Sequence, residues 1–138
     1  MPPWVLDANE YVFSFGPAPE PDCVALLDAL VGRGGPRIAV CRTIVQEVVG
    51  NLDPRSAKAF FSWMALVTEV DEDETVPFEV GYRYETMGFK PADAFIAAYA
   101  EHVGAGILVS ENRHFLRARG DLPFKVLDAE AALRAIKG

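Results

Sequence analysis

Five short apolar runs separate the helical stretches of this chain, and they limit its fold more than any other feature. They cover residues 4–6, 37–41, 66–70, 106–110 and 124–127. They read as continuous apolar runs more than as alternating ones, as strands buried on both faces of a parallel sheet do. Helical patterns fill the gaps. Residues 22–31 form one, closed by the breaker at 32–36, and residues 43–49 form another. Asp53 and Pro54 supply an N-cap and a proline at the first helical position, opening a helix to about Ala65. Residues 90–93 open a helix with its proline in the same place, and Gly104 is its natural C-cap. Residues 112–119 and 129–137 complete the set. Strands alternating with helices predict an α/β sheet with helices on both faces. Residues 71–89 are the least regular. Their acidic start, 71–74, reads as a solvated turn, and 79–85 as a short helix.

The 138 residues suit a single domain spanning 1–138, and 51% hydrophobic residues supply a sizeable core. No run approaches the ~20 apolar residues of a membrane helix. The first residues lack the basic and apolar regions of a signal peptide, so a soluble cytoplasmic protein is expected. The net charge of -7 argues against a broad basic face for nucleic acid. It leaves a nuclease open, because acidic metal ligands add to the count and a bound metal reverses the local field. It also suits a basic protein partner. The cysteines, Cys23 and Cys41, lack a Cys-x-x-Cys arrangement, and there are only two histidines. These features argue against zinc and read as two free buried thiols.

Three acids and an asparagine stand where strands hand over to loops or helices: Asp7, Glu47, Asp93 and Asn112. In an open parallel sheet the crevice lies at the carboxyl ends of the strands. Asp7 and Ser110 fall at such ends. Asp93 falls in a first helical turn, where free amides favour a carboxylate. Glu47 lies about one turn into the helix after the second strand. If the first and fourth strands are neighbours, all these positions converge. A loose carboxylate cluster poor in histidine and cysteine suits Mg²⁺ better than zinc or copper. In phosphodiester hydrolysis such an ion activates water and neutralises charge on phosphate oxygens. Taken singly, each residue has a plainer reading, as a helix cap or a surface charge.

Four segments resemble the PIN-domain ribonucleases, the family of VapC-type toxins. These are Val5-Leu6-Asp7-Ala8-Asn9, Ile44-Val45-Gln46-Glu47, Pro91-Ala92-Asp93-Ala94-Phe95-Ile96-Ala97, and Ser110-Glu111-Asn112-Arg113-His114-Phe115 with the apolar run before it. The resemblance covers nearly the whole chain. It implies a three-layer α/β/α sandwich around a parallel sheet of about five strands. It implies that Asp7, Glu47 and Asp93 hold Mg²⁺ or Mn²⁺, with Ser110 orienting the cluster. Asn112 falls where many members carry a fourth aspartate, and Glu111 at a position the family leaves variable. With three formal charges in place of four, one metal is expected in the free protein and any second with the RNA phosphate. The implied activity is a metal-dependent endoribonuclease, the toxin of a type II pair, restrained by a small antitoxin whose C-terminal segment enters the acidic cleft.

Arg42, Arg113, Arg117 and Arg119 follow the second and fourth strands. Arg113 is a candidate for holding RNA phosphates, against the plainer reading of helix-surface charge. His114 is expected to be packed or supporting, not a general base. Phe60, Phe61, Trp63, Met64, Leu66 and Val67 span more than one helix face, which predicts a homodimer or partner surface beside a core. The alternative function is a weakly active or inactive PIN scaffold that binds RNA or protein, favoured by Asn112. A phosphatase or receiver domain fits poorly, because Asp7-Ala8-Asn9 lacks the second aspartate of the phosphatase pattern, and the receiver's paired acids are absent.

Overall fold

The computed structural model describes residues 2–32, 34–71, 76–118 and 122–138. Strand β1 (Trp4–Leu6) pairs in parallel with β4 (Ile107–Val109), setting Val5 opposite Leu108. On its other side β4 pairs in parallel with β5 (Lys125–Leu127), Leu108 facing Val126. Two further strands, β2 (Val40–Cys41) and β3 (Val70–Asp71), form a separate parallel ladder. A single bridge between Trp4 and Ile38 joins the two ladders. It is reinforced where Trp4 N–H donates to the Arg37 carbonyl at 2.7 Å and Ala39 N–H to the Trp4 carbonyl at 2.9 Å.

The expected sheet of about five strands is thus a three-stranded sheet, β1-β4-β5, with a two-stranded ladder bridged to its edge. The difference has a local cause. Leu66 and Val67 are not strand residues but the last turn of helix α4 (Pro54–Val67). Thr68 leaves that helix with its N–H still bonded to the Met64 carbonyl, and its hydroxyl donates to the Ile38 carbonyl at 2.6 Å. The chain therefore meets β2 only at Val70. The apolar character of residues 66–70 is shared between two elements.

Helix α1 (Ala8–Phe15) follows β1 directly and has no counterpart in the sequence expectation. Asp7 caps it, its carboxylate accepting from Ala8 N–H. The other helices follow the expected pattern closely: α2 (Pro21–Leu30), α3 (Arg42–Gly50), α5 (Phe78–Thr86), α6 (Pro91–His102), α7 (Arg113–Ala118) and α8 (Ala129–Lys137). Gly104 adopts φ +68° just past α6, a left-handed conformation glycine enters at little cost. The acidic turn falls largely at residues 72–75, outside the described residues, as does Arg119.

The helices pack in two groups. In one, α1 contacts α2, α3 and α4, and α2 contacts α8; in the other, α5 pairs with α6. These groups flank the sheet as the outer layers of an α/β/α sandwich. Val5, Leu6, Val40, Leu108, Val109 and Val126 are buried on the strands, as continuous apolar runs require. In α6, Ala94 and residues 96–100 are all buried, the small alanines letting the helix sit close. The face of α4 that looks inward carries Phe60, with the Tyr11 ring 5.1 Å away, and Trp63, whose indole N–H donates to the Leu27 carbonyl at 3.0 Å. Phe61 and Leu66 of the same helix are exposed, at 46% and 72%. Among the described residues no helix is long and apolar enough to cross a membrane.

Candidate metal centre

The β1–β4 register aligns Leu6 with Val109, so the next residues, Asp7 and Ser110, stand side by side at the carboxyl ends of the strands. Asp7 N–H donates to the Val109 carbonyl at 2.9 Å, tying the two ends together. One carboxylate oxygen of Asp7 accepts from Ala8 N–H at 2.8 Å; the other accepts from the Ser110 hydroxyl at 2.8 Å. Ser110 Oγ in turn accepts from Asn112 N–H at 2.9 Å. Asn112 extends the connection, its side-chain amide donating to Asp93 Oδ2 at 3.1 Å and its Oδ1 accepting from His114 N–H. An unbroken hydrogen-bonded line therefore runs from Asp7 through Ser110 and Asn112 to Asp93. Asp93 is the third residue of α6, so the free amides of that first turn support its charge.

Glu47 reaches the same region from α3. Although the residue is exposed overall, partial desolvation of its carboxyl pushes it above the usual range, and the charge of Asp93 adds to the effect. Burial likewise raises Asp7 to about 6; the Ser110 hydrogen bond opposes the shift, while the charges of Asp93 and Glu47 add to it. Three acids thus share one field. Asp7 and Ser110 are buried, Asp93 is half-buried and Glu47 is exposed. The cluster is buried at the strand ends and exposed on the α3 side.

The three carboxylates converge without close contact. Among the described residues, the trio of His, Cys, Asp or Glu side chains whose ligand atoms all lie within 4.8 Å of one another is a different one, Glu10, Cys23 and Glu111. The donor set, all oxygen and carboxylate-rich, suits Mg²⁺ or Mn²⁺, which keep part of their water. Asn112 contributes no charge, but its carbonyl oxygen keeps a second lone pair beside the one used by His114 N–H.

Arg113 is exposed at the start of α7, next to Asn112, and Arg42 is exposed at the start of α3. The His114 side chain is exposed and not packed; its neighbour Phe115 fills the core instead, stacked on Phe89 with ring centroids 5.0 Å apart. The cluster of Glu10, Cys23 and Glu111 is absent from the sequence expectation. Its trace was faint: Glu10 lies one helical turn beyond Asp7, and only recognition of α1 as a helix would have turned it inward.

No family model and no curated protein matches the chain. Solved structures resemble it in fold. One is a chain in the structure of VapBC2 from Rickettsia felis bound to a DNA fragment from its promoter, with a TM-score of 0.65 at 16% identity, covering 91% of this chain and 97% of that one. Another is a chain of FitAcB from Neisseria gonorrhoeae, with a TM-score of 0.62 at 20% identity and the same coverage. At such identities the likeness is one of fold, and it extends over nearly the full length of both chains. It agrees with the PIN-like α/β/α sandwich expected from the sequence.

Proposed function

We propose that the chain is a Mg²⁺- or Mn²⁺-dependent endoribonuclease hydrolysing RNA phosphodiester bonds, acting in the cytoplasm as the toxin of a type II toxin–antitoxin pair. The observation that carries this reading is the convergence of Asp7, Glu47 and Asp93 at the carboxyl end of a parallel sheet, linked through Ser110 and Asn112. Asp7, Glu47 and Asp93 would hold the ion, with Asn112 at its edge. The ion supplies an activated water and neutralises charge on the phosphate. The chain's own work is positional. Ser110 fixes the Asp7 carboxylate, the first turn of α6 holds Asp93, and Arg113 stands exposed where a phosphate could pair with it. The fold shared with chains of the VapBC2 and FitAcB complexes supports a small antitoxin as partner. The net charge of -7 suits an antitoxin segment that brings basic side chains to the acidic crevice.

RNA incubated with the purified chain and Mn²⁺ should be cleaved, and excess chelator should stop the reaction. Cleavage indifferent to chelator would remove the metal from the account. Calorimetry on the RNA-free chain should find a single crevice ion, because three formal charges replace the four that a tight pair of ions would need. For that titration Cys23→Ser is the suitable background, leaving the crevice as the site measured. Two tightly held ions in that background would contradict the expectation.

A second reading, a weakly active or inactive scaffold that binds RNA or protein, is favoured by one observation. The Asn112 amide donates to Asp93 Oδ2, an oxygen that an acid at position 112 would leave open to a metal. Mn²⁺ binding without cleavage on any RNA tested would favour it.

Exposed Phe61 and Leu66 on α4 support a homodimer through that helix. The Phe61→Glu variant should run as a monomer by light scattering where the wild type runs as a dimer. An unchanged mass would exclude this face.

A further inference from the structure

Glu10 on α1, Cys23 on α2 and Glu111 in the β4–α7 loop bring a carboxylate, a thiol and a second carboxylate within 4.8 Å of one another. Glu10 and Cys23 are fully buried and Glu111 is half-buried. Two details set this trio apart from an ordinary acidic patch. First, Glu10 Oε1 is a buried oxygen with no hydrogen-bond partner among the described residues. A buried polar atom left unmatched costs about 1–3 kcal/mol and more when charged, so it calls for a partner, either a cation or a proton shared with Glu111. Second, the group that faces Glu10 across the site is another acid, Glu111, with the Cys23 thiol beside them, all within 4.8 Å. What completes the site must therefore be positive.

A proton shared between Glu10 and Glu111, with the Cys23 thiol donating to Glu10 Oε2, is the arrangement a bound cation would displace. The thiol points at Glu10, with Sγ to Oε2 at 3.9 Å. Around a tetrahedral zinc ion with Zn–O near 2.0 Å and Zn–S near 2.3 Å, an oxygen and a sulfur ligand lie about 3.5 Å apart. The Cys23–Glu10 spacing is already close to that. Glu111 uses Oε2 to accept from Ala129 N–H at 3.0 Å, which holds its carboxylate in place and leaves the other oxygen for a ligand. It also lines an open cavity of about 330 Å³ with Phe13, Ala18 and Glu20.

We propose that Glu10, Cys23 and Glu111 form a second cation site, separate from the acidic crevice, that takes a borderline divalent ion of the zinc type. One sulfur and two oxygens favour such an ion over Mg²⁺, and three protein ligands leave a position for water. On binding, the Glu10 carboxyl and the Cys23 thiol each lose a proton to solvent, and bonds to the metal form in their place. Burial, with the negative neighbours, holds both of those groups protonated in the ion's absence. The occupied site would fasten α1 and α2 to the loop that carries Ser110 and Asn112, and through Ala129 to α8. Its role is to hold the crevice loop, and it needs no part in cleavage.

Cobalt reports such a site, because a thiolate ligand gives Co²⁺ a charge-transfer absorption in the near ultraviolet that oxygen ligands do not. The chelator-treated full-length chain should develop this band with one equivalent of Co²⁺ and lose it on adding Zn²⁺. Cys23→Ser should abolish the band; Cys41→Ser and Asp93→Asn should keep it. Should Cys23→Ser fail to fold by circular dichroism, Glu111→Gln serves, with Co²⁺ affinity expected to fall about tenfold or more. No band on the folded wild type, a band that survives Cys23→Ser, or an unchanged affinity in Glu111→Gln would overturn the proposal. Cleavage is read separately: an inert protein with the band fails only as a nuclease, and an active protein without it fails only here.

Discussion

Asp7→Asn should make the metal-free chain more stable at pH 7 while removing its activity. The carboxyl of Asp7 is raised from 3.8 to about 6 by burial, with Asp93 and Glu47 adding to the shift. A carboxyl that binds its proton more tightly in the folded state favours folding only while it is protonated. Stability is therefore lost as pH rises through the window between about 4 and 6, and the loss is complete above it. The shift corresponds to about 3 kcal/mol at neutral pH. Asparagine carries no charge there. It can still cap Ala8 N–H, but it gives up the bond from the Ser110 hydroxyl, at a cost of about 1 kcal/mol. The net gain should be about 2 kcal/mol in urea unfolding at pH 7 with chelator present, shrinking to nothing or reversing near pH 4. A variant less stable than wild type at pH 7 would mean that Asp7 is not held against its charge. Saturating Mn²⁺ should stabilise the wild type and not the variant, by mass action.

Asp93→Ala should weaken Mn²⁺ binding at the crevice by about a hundredfold or more. Even the partners that orient metal ligands are worth 10–100-fold in affinity, and a ligand carboxylate is worth more. The substitution also removes the acceptor of the Asn112 amide, so the line from Asp7 ends one residue short. The fold should survive, because Asp93 is half-buried at the third position of a helix whose start is set by Pro91. Calorimetry in the Cys23→Ser background isolates the crevice; wild-type affinity in the double variant would take Asp93 out of the ligand set.

Much of the architecture could be read from the residues, for reasons that differ by element. Continuous apolar runs at 4–6 and 106–110 announced strands because both faces of these strands are covered. Asp53-Pro54 and Lys90-Pro91 announced helix starts because proline is tolerated there and almost nowhere later. What escaped notice depended on tertiary contact. Residues 66–70 were equally apolar whether helical or extended, and only the Thr68 hydroxyl on the Ile38 carbonyl decides where the helix stops. Helix α1 was masked because Asp7 serves two ends at once, closing a strand and capping a helix. The crevice residues were visible because each sits at a strand end or in a first helical turn, positions that local sequence marks. The bond from the Asn112 amide to Asp93 was not visible, since it depends on how α6 lies against the β4–α7 loop. The trio of Glu10, Cys23 and Glu111 was hidden for the same reason: three distant segments with no motif spacing meet only in the folded chain.

The central claim is that the carboxylates at the ends of these strands cleave RNA through a bound divalent ion. Its most direct test is RNA cleavage by the wild type and Asp93→Ala, side by side, each with Mg²⁺, with Mn²⁺ and with chelator. The account predicts metal-dependent cleavage by the wild type, abolished by chelator, and none above background by a variant whose circular dichroism is unchanged. Undiminished Mn²⁺-dependent cleavage by the folded Asp93→Ala protein would contradict it.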